Sequence, residues 1–229
     1  MTATTKTAPT STAEAYDAWF DSRWGRYAFA IEAAAVDTAV DPRPGARVLD
    51  VGCGTGRFAP RLEQHGAGVV GLEFDPAMLA VAARHLHGPR VVADAHRLPV
   101  RDAAVDVALA VTVLEFTADP AAVIAELARV TRVGGRIVVG SLNPTSPWGF
   151  AHRHQLRTGT WCEAHFLDRR QLRTLGARYG RAESRGVLFA PSAFRGLRWL
   201  GPLGEPLGRV VQRFGAFQVL VIDRADVNQ

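Results

Sequence analysis

Val48-Leu49-Asp50-Val51-Gly52-Cys53-Gly54-Thr55-Gly56-Arg57 decides the fold of this chain. The short apolar run Arg47–Val51 reads as a buried strand. Three alternating glycines then turn the backbone, and Arg57–His65 reads as a helix stopped by Gly66. Glycine tolerates the positive φ of such a turn, and it carries no Cβ to hold a ligand away from the backbone. Exposed amides and a helix dipole at this point favour a ligand with negative or acceptor character.

Outward from the turn, strands and helices alternate. Gly68–Phe74 is a second strand, Arg90–Asp94 a third, Val105–Val111 a fourth and Arg136–Ser141 a fifth. Asp75-Pro76 and Asp119-Pro120 each start a helix, with an acid at the cap and proline in the first turn. These helices run to about Leu86 and about Thr131, and Gly134-Gly135 makes the turn before the fifth strand. Such alternation predicts right-handed crossovers and a parallel sheet with helices on both faces. The strands are nearly all apolar, as burial on two sides requires. Later, Asp168 reads as a cap for a helix to about Arg178, and Gly186–Ala190 and Ala216–Asp223 as the last strands. The expected organisation is a tail over 1–14 and one domain over 15–229, with 191–214 an inserted lid or wall.

With 229 residues, 48% of them hydrophobic and 21% charged, the chain suits one globular domain. No apolar run approaches bilayer length and the N-terminus has no signal-peptide core, so the expected location is cytoplasmic. Cys53 and Cys162 are far apart and form no CxxC pair, so neither a disulfide framework nor a metal is expected. The net charge is +5. Lys6 is the only lysine, and the arginines are scattered among alanines rather than clustered, which argues against nucleic acid as partner.

Two ligands compete for the glycine turn. A dinucleotide fingerprint has glycine at its first, third and sixth positions. Here the glycines are Gly52, Gly54 and Gly56, and the sixth position is Arg57. Asp50 at the strand end would repel a pyrophosphate but suits the ammonium of an adenosyl amino acid. Glu73, about twenty residues on, is placed to take both ribose hydroxyls. The balance favours S-adenosylmethionine over NAD(P).

On these residues the chain resembles the class I S-adenosylmethionine-dependent methyltransferases, nearest the small-molecule branch of the ubiquinone and menaquinone biosynthesis enzymes. VLDVGCGTG, VVGLEFDPAML, ADAHRLPV, DVALAVTVLEF and RVTRVGGRIVVGSLNP match that family's motifs in order, and YDAWFDSRWGRY resembles a segment that folds over the cofactor. The resemblance covers roughly Tyr16 to Asn143. It implies an α/β fold: a Rossmann-like, doubly wound, mostly parallel seven-stranded sheet with an antiparallel last strand. It implies Asp50, Gly52, Cys53, Gly54 and Gly56 around the cofactor, and Glu73 on the ribose. Phe74 would lie beside the adenine, with Asp94 accepting from its amino group and Ala95 donating a backbone N–H. Val111 and Thr112 would lie near the methyl group. Tyr16, with Trp19 and Phe20, would close over the cofactor or simply pack on the core. The chain departs from the branch at Phe116, often histidine there. It lacks the Asn/Asp-Pro-Pro-aromatic motif of base amino-methylation.

Methyl transfer from a sulfonium needs alignment and exclusion of water more than activation. A hydroxyl acceptor also needs a base. His152 and His154 are candidate bases or, with His165, weak metal ligands, against the plainer reading of all three as hydrogen-bonded loop histidines; His96 is expected to be structural. Asn143, Trp148 and Trp161 are candidates for the acceptor pocket. The expected function is methyl transfer to a small molecule, quinone-like or a secondary metabolite, with a homodimer allowed for. An NAD(P)-dependent oxidoreductase and a non-catalytic S-adenosylmethionine-binding module are the alternatives.

Overall fold

In the computed structural model, which describes residues 12–152, 164–189 and 212–225, a seven-stranded sheet carries helices on both faces. The described residues begin with α1 (Thr12–Phe20) and α2 (Arg23–Val40), then β1 (Arg47–Val51), α3 (Ala59–Gln64) and β2 (Gly68–Glu73). There follow α4 (Pro76–Ala82), β3 (Arg90–Val92), β4 (Val105–Val111), α5 (Pro120–Val130) and β5 (Thr131–Leu142). After α6 (Pro147–His152) come α7 (Arg169–Gly176), β6 (Gly180–Val187) and β7 (Phe217–Arg224).

The strand order is β3-β2-β1-β4-β5-β7-β6. Strands β1 to β5 pair in parallel, whereas β7 is antiparallel to both β5 and β6. Alternate residues of the central strands feed two cores. Val48, Val107, Leu109, Val138 and Val219 face the layer that holds Val36 and Val40 of α2. Leu49, Ala108, Ala110, Ile137, Val139 and Leu220 face the layer that holds Ile124 and Leu127 of α5 and Leu172 of α7. Both Asp-Pro starts are made: Asp75 accepts from the Ala77 amide, and Asp119 from those of Ala121 and Ala122.

At the rim where the parallel strands begin, Asp106 takes the Arg47 amide at 2.8 Å and the side chains of Arg47 at 3.0 Å and Arg132 at 2.7 Å. These bonds, that to the Arg47 side chain foremost, hold the Asp106 carboxyl far below its ordinary range. Among the described residues no helix is long and apolar enough to cross a membrane.

Three sequence readings change. α1 starts at Thr12, inside the span expected to be tail. The Gly134-Gly135 turn is absorbed into β5 as an irregularity, where the register shifts between Val105 and Val107 and Gly134 takes a φ of 74°. The sixth strand is Gly180–Val187, not Gly186–Ala190. It is an edge strand carrying Arg181, Glu183 and Arg185, so its exposed side masks the apolar signal by which buried strands are found. Of the expected insert 191–214, only Gln212–Phe214, a short 3-10 turn, lies within the described residues.

Candidate functional site

The carboxyl ends of β1, β2 and β4 build the site, as the rule for open parallel sheets requires. Gly52, Gly54 and Gly56 have φ values of 67°, 54° and 76°. Their surroundings differ. A Cβ on Gly52 would lie 2.4 Å from the Val113 side chain, and one on Gly56 3.2 Å from Ala82 of α4. These two glycines serve close packing. A Cβ on Gly54 would meet nothing nearer than the Tyr16 ring at 3.9 Å, so the space above it is open to a ligand.

The loop amides are not free donors. Gly52 and Cys53 donate to the Leu72 carbonyl at 2.7 and 3.0 Å, and Gly56 to the Cys53 carbonyl at 2.8 Å. Gly54 donates to Oε2 of Glu73 at 2.9 Å. The expected row of exposed amides is therefore replaced by an open glycine surface edged by a carboxylate. That suits a pyrophosphate poorly. Cys53 contributes backbone only: its thiol is buried toward Gly71, and burial pushes its pKa well up.

Carboxylates converge behind this surface. Asp50 is 2% exposed and its Oδ2 has no hydrogen-bond partner. Burial, then the charge of Glu73, pushes its pKa up to about 7. Glu115 is 1% exposed; Oε1 accepts from the Leu142 amide at 2.8 Å, while Oε2 has no partner. Burial pushes its pKa up to about 7, and that of Glu32 on α2 likewise. Glu32, Glu73 and Glu115 all bear electrostatically on the Tyr16 hydroxyl. Burying acids with unfilled lone pairs is costly unless a cation or donor meets them. The ammonium and sulfonium of S-adenosylmethionine are such groups; the phosphates of a dinucleotide are not.

Beyond β2 and β3 lies an apolar shelf with a polar edge. Phe74 is 73% exposed and Val92 is exposed beside it. Oδ1 of Asp94 accepts from the amide of His96 at 2.8 Å and pairs with its ring Nδ1 at 2.7 Å, which leaves Oδ2 outward. The His96 amide bond foremost holds the Asp94 carboxyl below its ordinary range. His96 thus pins the acid, the structural role expected of it. The Ala95 amide makes no hydrogen bond among the described residues. An acceptor, a donor and a flat apolar face suit an adenine ring, so the residues present fit the cofactor.

α1 closes the site from above. Tyr16 lies over Gly54, and its hydroxyl comes within reach of the Thr112 side chain. Thr112 has a φ of 52°, a left-handed conformation that a β-branched residue rarely adopts. Its hydroxyl donates to the Val111 carbonyl at 2.8 Å, and its amide to Gly140. α1 is held down by Arg57, whose guanidinium meets both carboxylate oxygens of Asp17 at 2.6 and 2.8 Å and its carbonyl at 3.0 Å. His85 Nε2 lies 3.3 Å from the same carboxylate. Burial is the largest single influence and opposes the Asp17 charge, but the bonds to Arg57, Thr55 and His85 together outweigh it and keep the carboxyl below its ordinary range. Trp19 is 42% exposed, whereas Phe20 is buried against Phe29.

The acceptor-side candidates separate. The Asn143 side chain is spent on the fold: its amide donates to the Arg213 and Gly215 carbonyls, and its oxygen accepts from Thr145. It ties the end of β5 to the start of β7. Trp148 packs half-buried against the core beneath α2. His165 donates its amide to the Glu115 carbonyl at 2.7 Å. His152 closes α6, but its side chain, like His154 and Trp161, lies outside the described residues. Sequence reasoning gave no role to Glu32, Glu115 or the Asp17–Arg57 pair. Glu115 stood within a quoted motif, and Arg57 drew notice only as a missing glycine.

Residues 49–139 match the methyltransferase domain family. That segment is a methyltransferase domain. Its cofactor is S-adenosylmethionine. Over 137 residues the chain is 36% identical to a malonyl-[acyl-carrier protein] O-methyltransferase of Serratia marcescens, covering 59% of this chain and 54% of that one. Over 100 residues it is 41% identical to a demethylmenaquinone methyltransferase of Corynebacterium kroppenstedtii, covering 44% and 43%. The chain thus spans about half the length of these curated relatives. In fold it is similar to an S-adenosylmethionine-dependent methyltransferase from Thermotoga maritima, with a TM-score of 0.74, 24% identity and coverage of 93% and 95%.

Proposed function

We propose that this methyltransferase-family protein moves the methyl group of S-adenosylmethionine to a small apolar or aromatic acceptor, quinone-like or a secondary metabolite, in the cytoplasm. The observation that carries the reading is the open face over Gly54, ringed by Asp50, Glu73 and Glu115, of which Asp50 and Glu115 each keep a buried oxygen without a partner.

When bound, the cofactor supplies a methyl group on a sulfonium whose departure as a neutral thioether needs no acid. Glu73 receives the ribose hydroxyls, Asp94 and the Ala95 amide read the adenine edge, and Asp50 supplies negative charge near the ammonium. Tyr16 and α1 exclude water. Glu115 and Glu32, with pKa values of about 7, are among the groups able to take a proton from a hydroxyl acceptor near neutral pH. The acceptor's apolar character is supported by the rim, where Tyr16, Trp19, Phe116, Phe150 and Phe214 are between 40% and 61% exposed. Nucleic acid is not part of the proposal, because Arg57, the arginine beside the site, engages Asp17 of the fold.

The experiment is a thermal shift with S-adenosylhomocysteine and with NAD, followed by transfer of labelled methyl from the cofactor into a metabolite extract. Stabilisation by the first ligand and a labelled small molecule support the reading. Stabilisation by NAD alone overturns it, and tight cofactor binding with no labelled product indicates a non-catalytic module.

A further inference from the structure

A second concavity lies at the far edge of the sheet. It encloses about 480 Å³ between α7 and β6, lined by Arg169, Arg173, Glu183, Ser184, Arg185 and Gln212. Arg169 and Arg173 are one turn apart on α7, so both project to the same side. Ser184 and Arg185 are adjacent on the edge strand and so point to opposite sides of it, the buried hydroxyl inward and the exposed guanidinium at the open margin of the pocket.

The chemistry of the lining is one-sided. Neither Arg173 nor Arg185 meets an acid among the described residues. Glu183, the acid in the lining, is engaged by Arg181 at 2.6 Å. Asp168, at the start of α7, is occupied as its cap, accepting from the Gln171 amide at 2.9 Å. Gln212 accepts from the Gly186 amide at 2.9 Å. Arg169 is bonded to the Ser184 carbonyl, yet its Nε is buried with no partner. The Ser184 hydroxyl is in the same position: the residue is 4% exposed and Oγ has no partner. Two buried donors left unmade inside a wall of guanidinium groups cost stability unless something accepts from them. Burial and then the like charge of Arg173 hold the Arg169 pKa below the arginine norm, as crowded positive charge would.

We propose that this pocket is an oxyanion site that takes the phosphate group of a small molecule, with Arg169 Nε and Ser184 Oγ donating from its floor and Arg173 and Arg185 closing on it from the rim. Arginine suits phosphate because its planar fork offers paired donors. The site is separate from the cofactor pocket but level with it. Ser184 is in register with Leu220, Leu220 with Val139, and Val139 with Ala110, one residue before Val111. Three strand spacings put it roughly 14 Å to the side. The inference does not depend on the methyl-transfer reading.

The test is titration calorimetry on the full chain at fixed ionic strength, with inorganic phosphate, phenyl phosphate and sodium chloride as separate titrants. Saturable binding of either phosphate, and none of chloride, is expected. Tighter binding of phenyl phosphate assigns the anion to an organic ligand; equal binding assigns it to free phosphate. The Arg173→Gln/Arg185→Gln double variant should weaken binding about tenfold or more. Both residues are exposed, so unfolding temperature without phosphate and affinity for S-adenosylhomocysteine should stay at wild-type values. Ser184→Ala should weaken binding less, without loss of fold. No saturable binding, or equal affinity in the double variant, overturns the proposal.

Discussion

The Gly54 amide nitrogen lies 2.9 Å from Oε2 of Glu73, so the carboxylate proposed to hold the sugar also clamps the loop beneath it. Glu73 accepts from Phe74 and Asp75 as well, both on Oε1 at 2.7 and 3.0 Å. A carboxylate has about four acceptor positions, so Oε2 keeps one for a hydroxyl. Taking a second requires release of Gly54.

Glu73→Ala should therefore do two things at once. Cofactor affinity should fall by about tenfold or more, because charge-assisted bonds to the ribose are lost. Stability should fall by about 1–3 kcal/mol, because three amides lose their acceptor. Calorimetric titration with S-adenosylhomocysteine, paired with chemical denaturation, reads both. Unchanged affinity would place the sugar elsewhere.

Gly54→Val separates ligand space from fold. The positive φ costs roughly 1–2 kcal/mol for any residue with a Cβ, more for a branched one. The domain should still fold, since no neighbour is closer than the Tyr16 ring. Cofactor binding should be abolished, because the new side chain enters the open face. Circular dichroism and equilibrium binding decide the matter, and a variant that binds normally would refute the placement.

Asp50→Asn tests whether the buried acid serves the ligand rather than the fold. Raising a carboxyl pKa in the folded state makes folding less favourable as pH climbs from its unfolded value, near 4, to about 7. The isosteric amide escapes that penalty. Above neutrality the variant should melt at or above the wild-type temperature without ligand, and bind the cofactor at least about tenfold more weakly. A lower melting point with normal affinity would assign Asp50 to the fold alone.

The same acids set a pH dependence. Asp50, Glu115 and Glu32 are held protonated up to about 7. A cationic ligand prefers them ionised. Affinity for S-adenosylmethionine should thus rise from about pH 5.5 to about pH 7.5, with protons released on binding near neutrality. Calorimetry in buffers of different ionisation heat counts those protons; proton uptake, or flat affinity, contradicts the electrostatic picture.

Asp17→Asn should loosen α1 over the pocket. The pair with Arg57 is mostly buried, with side chains 10% and 19% exposed, and the guanidinium would keep only the longer carboxylate contact to Asp21 at 3.5 Å, so the loss matters. The expected result is faster hydrogen exchange in α1 and a higher cofactor off-rate, with exchange in β1 and β4 unchanged. Uniform acceleration across the sheet would mean a general loss of stability instead.

Much of this architecture was legible because central strands must be apolar on both sides. Val105–Val111 announces itself in that way, and the glycines after Val51 mark the turn. β6 escaped because only one of its sides meets the core. Asn143 misled because it follows a strand at the correct rim, yet the β5–β7 junction consumes its amide. Glu32 lies in an alanine-rich helix, and nothing local indicates that α2 carries it to Tyr16. The partnership of Asp17 and Arg57 spans forty positions and exists only once α1 has docked.

Asp106 gathers Arg47 and Arg132 on the rim opposite the pocket. The starts of β1 and β5 are thereby fastened at the end of the sheet away from the pocket. Evolution can rework the loops after β4 and β5 to greet new acceptors without unpicking that knot. Damage to the knot, in turn, should give a heat-sensitive protein whose surviving molecules keep their full specificity.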